Sequence, residues 1–307
     1  MGDQTTVTVV QKAHSAEVAF RDPHPLLAGH VLGYTGQDFS LSQPQVRRVT
    51  ALATVMLVID FEAPVRHLVT DTDMAGPQQS FLLSPVSGLS DRPLVIRQSG
   101  REYGMVALLT PLGARALFGF PLWELARRSV HLTDLLGPDG RRLTEQLAEA
   151  PDWPTRFRIT DTFLLSRIGT GPELPRQVRR VWRRLTGSGV APIDALADEV
   201  GWSRQHLTAR FHREVGLSPK SIARIARLQR VMLLMRSTHP PSWAEVAATC
   251  GYTDQSHLNR DFRLLTGCTP AGWRALTDWS SVYIGDPRVY AVHNATPDLR
   301  GHAPVRG

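Results

Sequence analysis

The sequence predicts an α+β chain: a β-rich, barrel- or sandwich-like first half that acquires helices, followed by an all-α second half. Three observations carry this expectation. Residues 1–109 hold short runs of β-branched and aromatic residues separated by Pro, Gly, Asp and Ser clusters. Beyond Pro111 the apolar residues recur at helical spacing. In the last third a glycine-turned helix pair occurs twice, at Gly201 and at Gly251, with a long helical stretch between the copies.

At 307 residues the chain has room for two cores. A hydrophobic fraction of 42% and a charged fraction of 21% are those of a water-soluble globular protein. The net charge of +7 favours polyanionic partners. It is carried almost wholly by arginine, since the only lysines are Lys12 and Lys220, and a guanidinium forks onto phosphates and guanine edges. Cys250 and Cys268 lack Cys-x-x-Cys spacing and a neighbouring His cluster, so buried thiols are expected. The first ten residues lack the charged and apolar regions of a signal peptide. The longest apolar run, residues 49–61, is too short for a bilayer. A cytoplasmic protein without a membrane partner is expected.

Strands are expected over residues 7–10, 46–61, 66–69, 79–83, 94–98 and 103–109. Helical patterns follow at 113–117, 122–127, 132–136, 141–149 and 160–168. Residues 169–172, Gly-Thr-Gly-Pro, read as a flexible linker. The helix expected at 175–185 places Val178, Val181, Trp182 and Leu185 on one face. Arg176, Arg179, Arg180, Arg183 and Arg184 lie away from it, as a solvated basic face or as phosphate contacts. Residues 1–170 and 173–278 are thus expected to be separate domains. Residues 279–307 are expected to form a peripheral or mobile tail.

The two helix pairs share one logic. In the first, residues 192–200 form a supporting helix with Ile193, Leu196, Ala197 and Val200 inward. Gly201 turns the chain and Ser203 caps the next helix, residues 204–215. That helix buries Leu207 and Phe211 and turns Gln205, His206, Thr208, Ala209 and Arg210 outward. In the second, residues 243–250 support, Gly251 turns, and Thr253 or Asp254 caps a helix over 254–265. Leu258, Phe262 and Leu265 point inward, while Gln255, Ser256, Asn259 and Arg260 project. Gln and Asn suit adenine and Arg suits guanine. Both pairs close on Gly-x-[ST]-Pro, at Gly216-Leu217-Ser218-Pro219 and Gly267-Cys268-Thr269-Pro270. The helix between them, residues 220–236, is about 25 Å long. Such a rod suits two reading helices set about one DNA turn, roughly 34 Å, apart in successive major grooves.

With these motifs the chain resembles the AraC/XylS family of transcription regulators over about residues 191–274, most closely in 251–263 and 267–273. The resemblance implies a seven-helix, sequence-specific DNA-binding domain with double-stranded DNA as partner and two helix-turn-helix units. Gln205, Thr208 and Ala209 match the base-facing positions of the first reading helix. Gln255, Ser256, Asn259 and Arg260 match those of the second. Some members carry arginine where this chain has Ala209, which reaches a thymine methyl at most. Arg204, His206, Arg210 and His257 complete the candidate contacts, with His257 read as structural or phosphate-facing. Arg179, Arg183 and Arg263 are the phosphate-contact candidates. The resemblance also implies that residues 1–170 are a sensor that gates DNA binding and a site of homodimerisation, with RNA polymerase a further partner. A small-molecule effector is compatible with it, and no cofactor is called for.

The alternative is an enzyme or metal-binding β-barrel with a DNA-binding appendage. The first half has no phosphate loop, nucleophile elbow or His-x-His pattern. His24, His30, His67 and His131 are isolated, and Asp71 and Asp73 read as loop chemistry. No catalytic or metal-ligating residue is therefore expected.

Overall fold

The computed structural model describes residues 7–13, 16–62, 66–69, 80–81, 83–187, 192–235, 237, 239–276 and 292–293. The first half is one curled antiparallel sheet. Its strands are β1 (Val7–Ala13), β2 (Ala16–Arg21), β3 (Val31–Val49), β4 (Val55–Asp60), β5 (Arg66–Val69), β6 (Ser80–Phe81), β7 (Pro85–Ser87) and β8 (Leu94–Leu109). β9 (Ser129–His131) and β10 (Val292–His293) join it from further along the chain. The main path runs β1-β2-β3-β8-β4-β7-β9. β3 and β8 pair along nearly their whole lengths, with a register shift between Leu41 and Gln45. On its other edge β8 pairs with β5 through residues 95–98 and with β4 through residues 104–109. One long strand thus serves both ends of the sheet.

The strands expected at 94–98 and 103–109 are one element, β8, in which Gly100 adopts a φ of 69°. The run 46–61 is two strands, the ends of β3 and β4, broken at residues 50–54. Thr50 and Thr54 at that break are β-branched, a strand-favouring composition that forms no ladder there. Residues 31–45, β2, β7 and β9 carried no strand expectation. Asp71 and Asp73 lie outside the described residues.

The helices of the first half are α1 (Pro111–Phe118), α2 (Leu132–Leu136), α3 (Pro138–Glu149) and α4 (Trp153–Ile168). The helix expected at 122–127 is only a 3-10 turn, Leu122–Glu124. Pro121 precedes it, and Arg127 leaves it with a φ of 56°. α4 lies across the sheet and buries Trp153, Phe157 and Leu164. Its Asp161 is buried and forms an ion pair at 3.0 Å with the equally buried Arg21 of β2. The same carboxylate accepts from the Tyr34 hydroxyl at 2.8 Å and from the His24 backbone N–H at 3.0 Å. Arg156, one turn earlier, donates to the carbonyls of Leu147 and Ala150 and to the Tyr103 hydroxyl. Phe61, Tyr103 and Trp153 surround its guanidinium.

The second half is helical: α5 (Arg176–Thr186), α6 (Ile193–Glu199), α7 (Arg204–Val215), α8 (Pro219–Met235), α9 (Trp243–Thr249), α10 (Gln255–Thr266) and α11 (Pro270–Leu276). α8 buries Ile222, Ile225, Leu228, Val231, Met232 and Met235 as a stripe. One apolar cluster runs from the sheet through α4 into α11. A smaller cluster, Val49, Leu52, Val58, Ile96, Val106 and Leu108, lines the other face of the sheet.

The expected linker separates α4 from α5, but it is packed rather than free. A Cβ placed on Gly171 would lie 1.9 Å from the Ala116 carbonyl oxygen of α1. Glycine here permits close approach, not mobility. In the tail, Val292 and His293 pair with Val49 and Arg48 of β3, so that stretch is a strand. The rest of 279–307 lies outside the described residues.

Candidate nucleic-acid interface

The two helix-turn-helix units superimpose in their local chemistry. Gly201 and Gly251 turn the chain with φ of 71° and 73°, a region costly for residues with a Cβ. The next residue, Trp202 or Tyr252, sends its N–H back to Ala197 or Ala247 at 3.0 and 2.9 Å. Ser203 caps α7 by accepting from the His206 N–H at 3.2 Å. Asp254, not Thr253, caps α10 by accepting from the His257 N–H at 2.7 Å. Each cap satisfies a donor that the helix itself leaves free.

The closing Gly-x-[ST]-Pro has a physical explanation in both copies. Gly216 and Gly267 end the reading helices in the left-handed region. Ser218 then accepts from the Ser221 N–H at 3.1 Å, and Thr269 from the Gly272 N–H at 2.9 Å. Proline follows each as the first residue of the next helix, where a missing N–H costs nothing. Stop, cap and restart take four residues.

The apolar sides of both reading helices are buried: Leu207, Phe211 and Val215 in α7, and Leu258, Phe262 and Leu265 in α10. Their polar sides face outward. Arg204, Gln205, His206, Thr208 and Ala209 are exposed, and Arg210 is half-buried. Gln255, Ser256 and Arg260 are exposed, while His257 and Asn259 are half-buried.

Both histidines pack edge-on against the aromatic residue of their own turn. The ring centroids of Trp202 and His206 lie 4.7 Å apart, and those of Tyr252 and His257 5.3 Å. The rings brace the turns, so a structural part belongs to both residues. The sequence signal was the aromatic residue directly after each glycine.

The arginines divide into engaged and free. On α5, Arg180 and Arg184 hold Glu199 of α6 at 2.6 and 3.3 Å. The Arg180 hydrogen bond holds the Glu199 carboxyl below its usual range. Arg179 pairs with Glu173 at 2.9 Å, and Arg204 with Asp194 at 3.3 Å. Arg183, Arg260 and Arg263 are exposed and form no ion pair among the described residues.

Sequence reasoning missed Asp261. It is buried on α10 and accepts from Arg224 Nε and Nη2 at 3.0 and 2.7 Å, both from α8. Arg227 of α8 reaches its second oxygen at 3.5 Å and lies over the Tyr252 ring. The signal was an acid among apolar positions facing two arginines of the connecting helix.

The first half touches both units. Asp91 takes a fork from Arg127 at 2.7 and 3.0 Å and a hydrogen bond from the Ser221 hydroxyl of α8 at 3.0 Å. Arg127, then burial in the opposite sense, then Ser221 set a net lowering of the Asp91 carboxyl. Arg115 of α1 pairs with Glu214 of α7 at 3.5 Å. The Ala51 N–H donates to the Leu265 carbonyl of α10 at 2.8 Å.

Of the isolated histidines, His24 accepts from the Leu26 N–H through Nδ1, and His131 Nδ1 lies 3.2 Å from the Leu83 carbonyl. The side chain of His67 lies outside the described residues. No group of three metal-binding side chains occurs among the described residues. Cys250 is buried, which pushes its thiol up, and Cys268 is half-buried. No helix among the described residues is long and apolar enough to cross a membrane.

Residues 196–275 match the family described as a helix-turn-helix domain. Over 82 residues the chain is 34% identical to the HTH-type transcriptional regulator MtrA of Neisseria gonorrhoeae, covering 27% of each protein. Over 88 residues it is 32% identical to the F1 operon positive regulatory protein of Yersinia pestis, covering 29% of each. The matched region thus spans little more than a quarter of these curated relatives. Unsaturated fatty acid-bound ToxT from Vibrio cholerae aligns over 86% of this chain and all of its own, at 11% identity and a TM-score of 0.44. The AraC-like activator CuxR aligns over 70% of this chain and 86% of its own, at 15% identity and a TM-score of 0.23. The class defined by the fold and the paired turns is the double helix-turn-helix. Residues 196–275 form a helix-turn-helix domain.

Proposed function

We propose that this protein is a sequence-specific DNA-binding transcription regulator, acting in the cytoplasm and not as an enzyme. One observation carries the reading: two reading helices, built alike, each bury a Leu/Phe face and leave a Gln-, Asn- or Arg-bearing face open to solvent. Gln205 and Thr208 of α7 and Gln255, Asn259 and Arg260 of α10 are the base-reading groups. Ala209 offers only a methyl contact, so α10 contributes more of the discrimination. Arg183 and Arg263 hold phosphates. The free N–H groups at the two capped N-termini add to that grip.

The N-terminal half gates this activity and forms a homodimer, and the DNA-bound protein contacts RNA polymerase. Two buried polar atoms of the sheet support a small-molecule effector. Thr35 Oγ1 and Gln98 Nε2 are buried without a hydrogen-bond partner among the described residues. Thr35 pairs with Val106, and Gln98 shares a face of β8 with Ile96, so both border the smaller apolar cluster. Buried polar atoms of this kind favour a ligand that satisfies them.

Selection of duplexes from a random library by the full-length chain tests the proposal. Enrichment of a two-part motif supports it. A folded chain that enriches no motif contradicts it.

A further inference from the structure

We propose that the two reading helices are oriented by different parts of the chain. α10 is held by its own domain through Asp261. α7 is held by the N-terminal half through Arg115, with Asp91 fixing the start of α8 directly behind it, which makes these two residues determinants of how the first half-site is read. This rests on the DNA-reading role proposed above.

The two reading helices align on their caps. Seven residues after Ser203 stands Arg210, and seven after Asp254 stands Asp261. The two copies differ in charge at the same position. Asp261 is grasped by Arg224 through two short hydrogen bonds and by Arg227, so α10 is tied to the rod α8 in a fixed rotation. Arg210 turns back along its own helix to Glu214 at 3.4 Å. Among the described residues no side chain of α8 ties α7 at the corresponding place, and the ion pair of α7 to its supporting helix is the exposed Arg204–Asp194 pair near its N-terminus.

The buried Glu214 reaches instead out of the domain to Arg115 of α1. Two further contacts surround that ion pair. Gly216, at the end of α7, backs onto the Leu122 carbonyl so closely that a Cβ would stand 2.8 Å from it. Two residues past the Gly-x-[ST]-Pro turn, Ser221 donates to Asp91. Leu207 and Phe211 set the depth of α7 in its core, but apolar packing is non-directional. Its tilt depends on the directed contacts: within its own domain the exposed Arg204–Asp194 pair, of a kind worth little, and from the N-terminal half the more buried Arg115–Glu214 pair. At α10 the N-terminal half offers the main-chain bond from Ala51 to Leu265, added to a helix already tied by Asp261.

The two tethers also differ in strength. Arg224 meets Asp261 at hydrogen-bonding distance, whereas Arg115 stands 3.5 Å from Glu214. Its Nε and Nη1 are buried without a hydrogen-bond partner among the described residues. Such a pair yields more readily than a fully bonded one. Movement of the N-terminal half therefore tilts α7 and shifts Gln205 and Thr208 from their bases, while α10 keeps its register.

The test uses the full-length chain on its selected duplex and on two versions with either half-site scrambled, with affinity read by fluorescence anisotropy. Arg115→Gln combined with Asp91→Asn is expected to erase the preference for an intact first half-site. It leaves the preference at the second half-site as in the wild type. Asp261→Asn is expected to do the reverse. Each erased preference corresponds to about a tenfold change, the ratio produced by about 1.4 kcal/mol. Glu214→Gln of α7 with Ser221→Ala of α8 breaks the same clamp from the helical side and carries the same expectation, should the first pair fail to fold. Unchanged discrimination at the first half-site, or equal loss at both, overturns the inference. A wild-type chain indifferent to both scrambled halves refutes the DNA-reading proposal instead.

Discussion

Single residues separate base reading from scaffold. Arg260 is exposed, unpaired among the described residues and one position from the Asp261 tether. Arg260→Ala should weaken binding to the selected site by about 1–3 kcal/mol and relax one position of the motif. Equal losses on selected and random duplexes would make it a phosphate contact. The turn glycines allow a sharper comparison. A Cβ at Gly201 meets nothing within 4 Å, so Gly201→Ala should cost only the left-handed backbone penalty, about 1–2 kcal/mol. At Gly216 the same change also strikes the Leu122 carbonyl and should cost more in a denaturation midpoint. Equal costs would mean that the N-terminal half does not press on α7. The turn glycines, caps and apolar positions of both units were legible in the sequence, because each is a local requirement repeated in two copies. Asp261 was not, since its partners sit on α8, 34 and 37 residues earlier.

Elements differ in legibility for the same reason. α5 to α10 follow from a helical period bounded by caps and glycines, all of them short-range signals. The sheet does not. β3 and β8 are long and bent, and they pair with different neighbours at their two ends, so no single alternation runs through either strand. α4 shows what holds sheet and helices together. Its Asp161 is the buried counter-charge of Arg21, and removing it strands a cation in the core. Asp161→Ala should destabilise the protein by about 3–5 kcal/mol in urea unfolding. A loss below about 1 kcal/mol, the range of an exposed pair, would show that Arg21 finds another partner.

At the scale of the molecule, the two halves form a continuous packed body rather than beads on a string. Composition at residues 169–172 pointed to flexibility, yet Gly171 is wedged against α1. Limited proteolysis of the folded chain should therefore spare residues 169–172, and early cleavage there would contradict the packing described. The contacts of Arg115 with α7, Asp91 with α8 and Ala51 with α10 join residues far apart in sequence, and no local pattern announces them. They give the N-terminal half a physical grip on the helical half, which the proposed gating requires.

In the proposed mode of binding, one chain reads two half-sites through two helices held at a fixed separation by α8. The most direct measurement is the affinity of the full-length chain for its selected duplex before and after five base pairs are inserted between the halves. That insertion turns one half to the opposite face of the helix, since a turn takes about 10 base pairs. The account predicts that binding falls to the level of a duplex with one half-site scrambled. Undiminished binding to the lengthened duplex would contradict it, because two rigidly joined reading helices cannot follow half-sites on opposite faces.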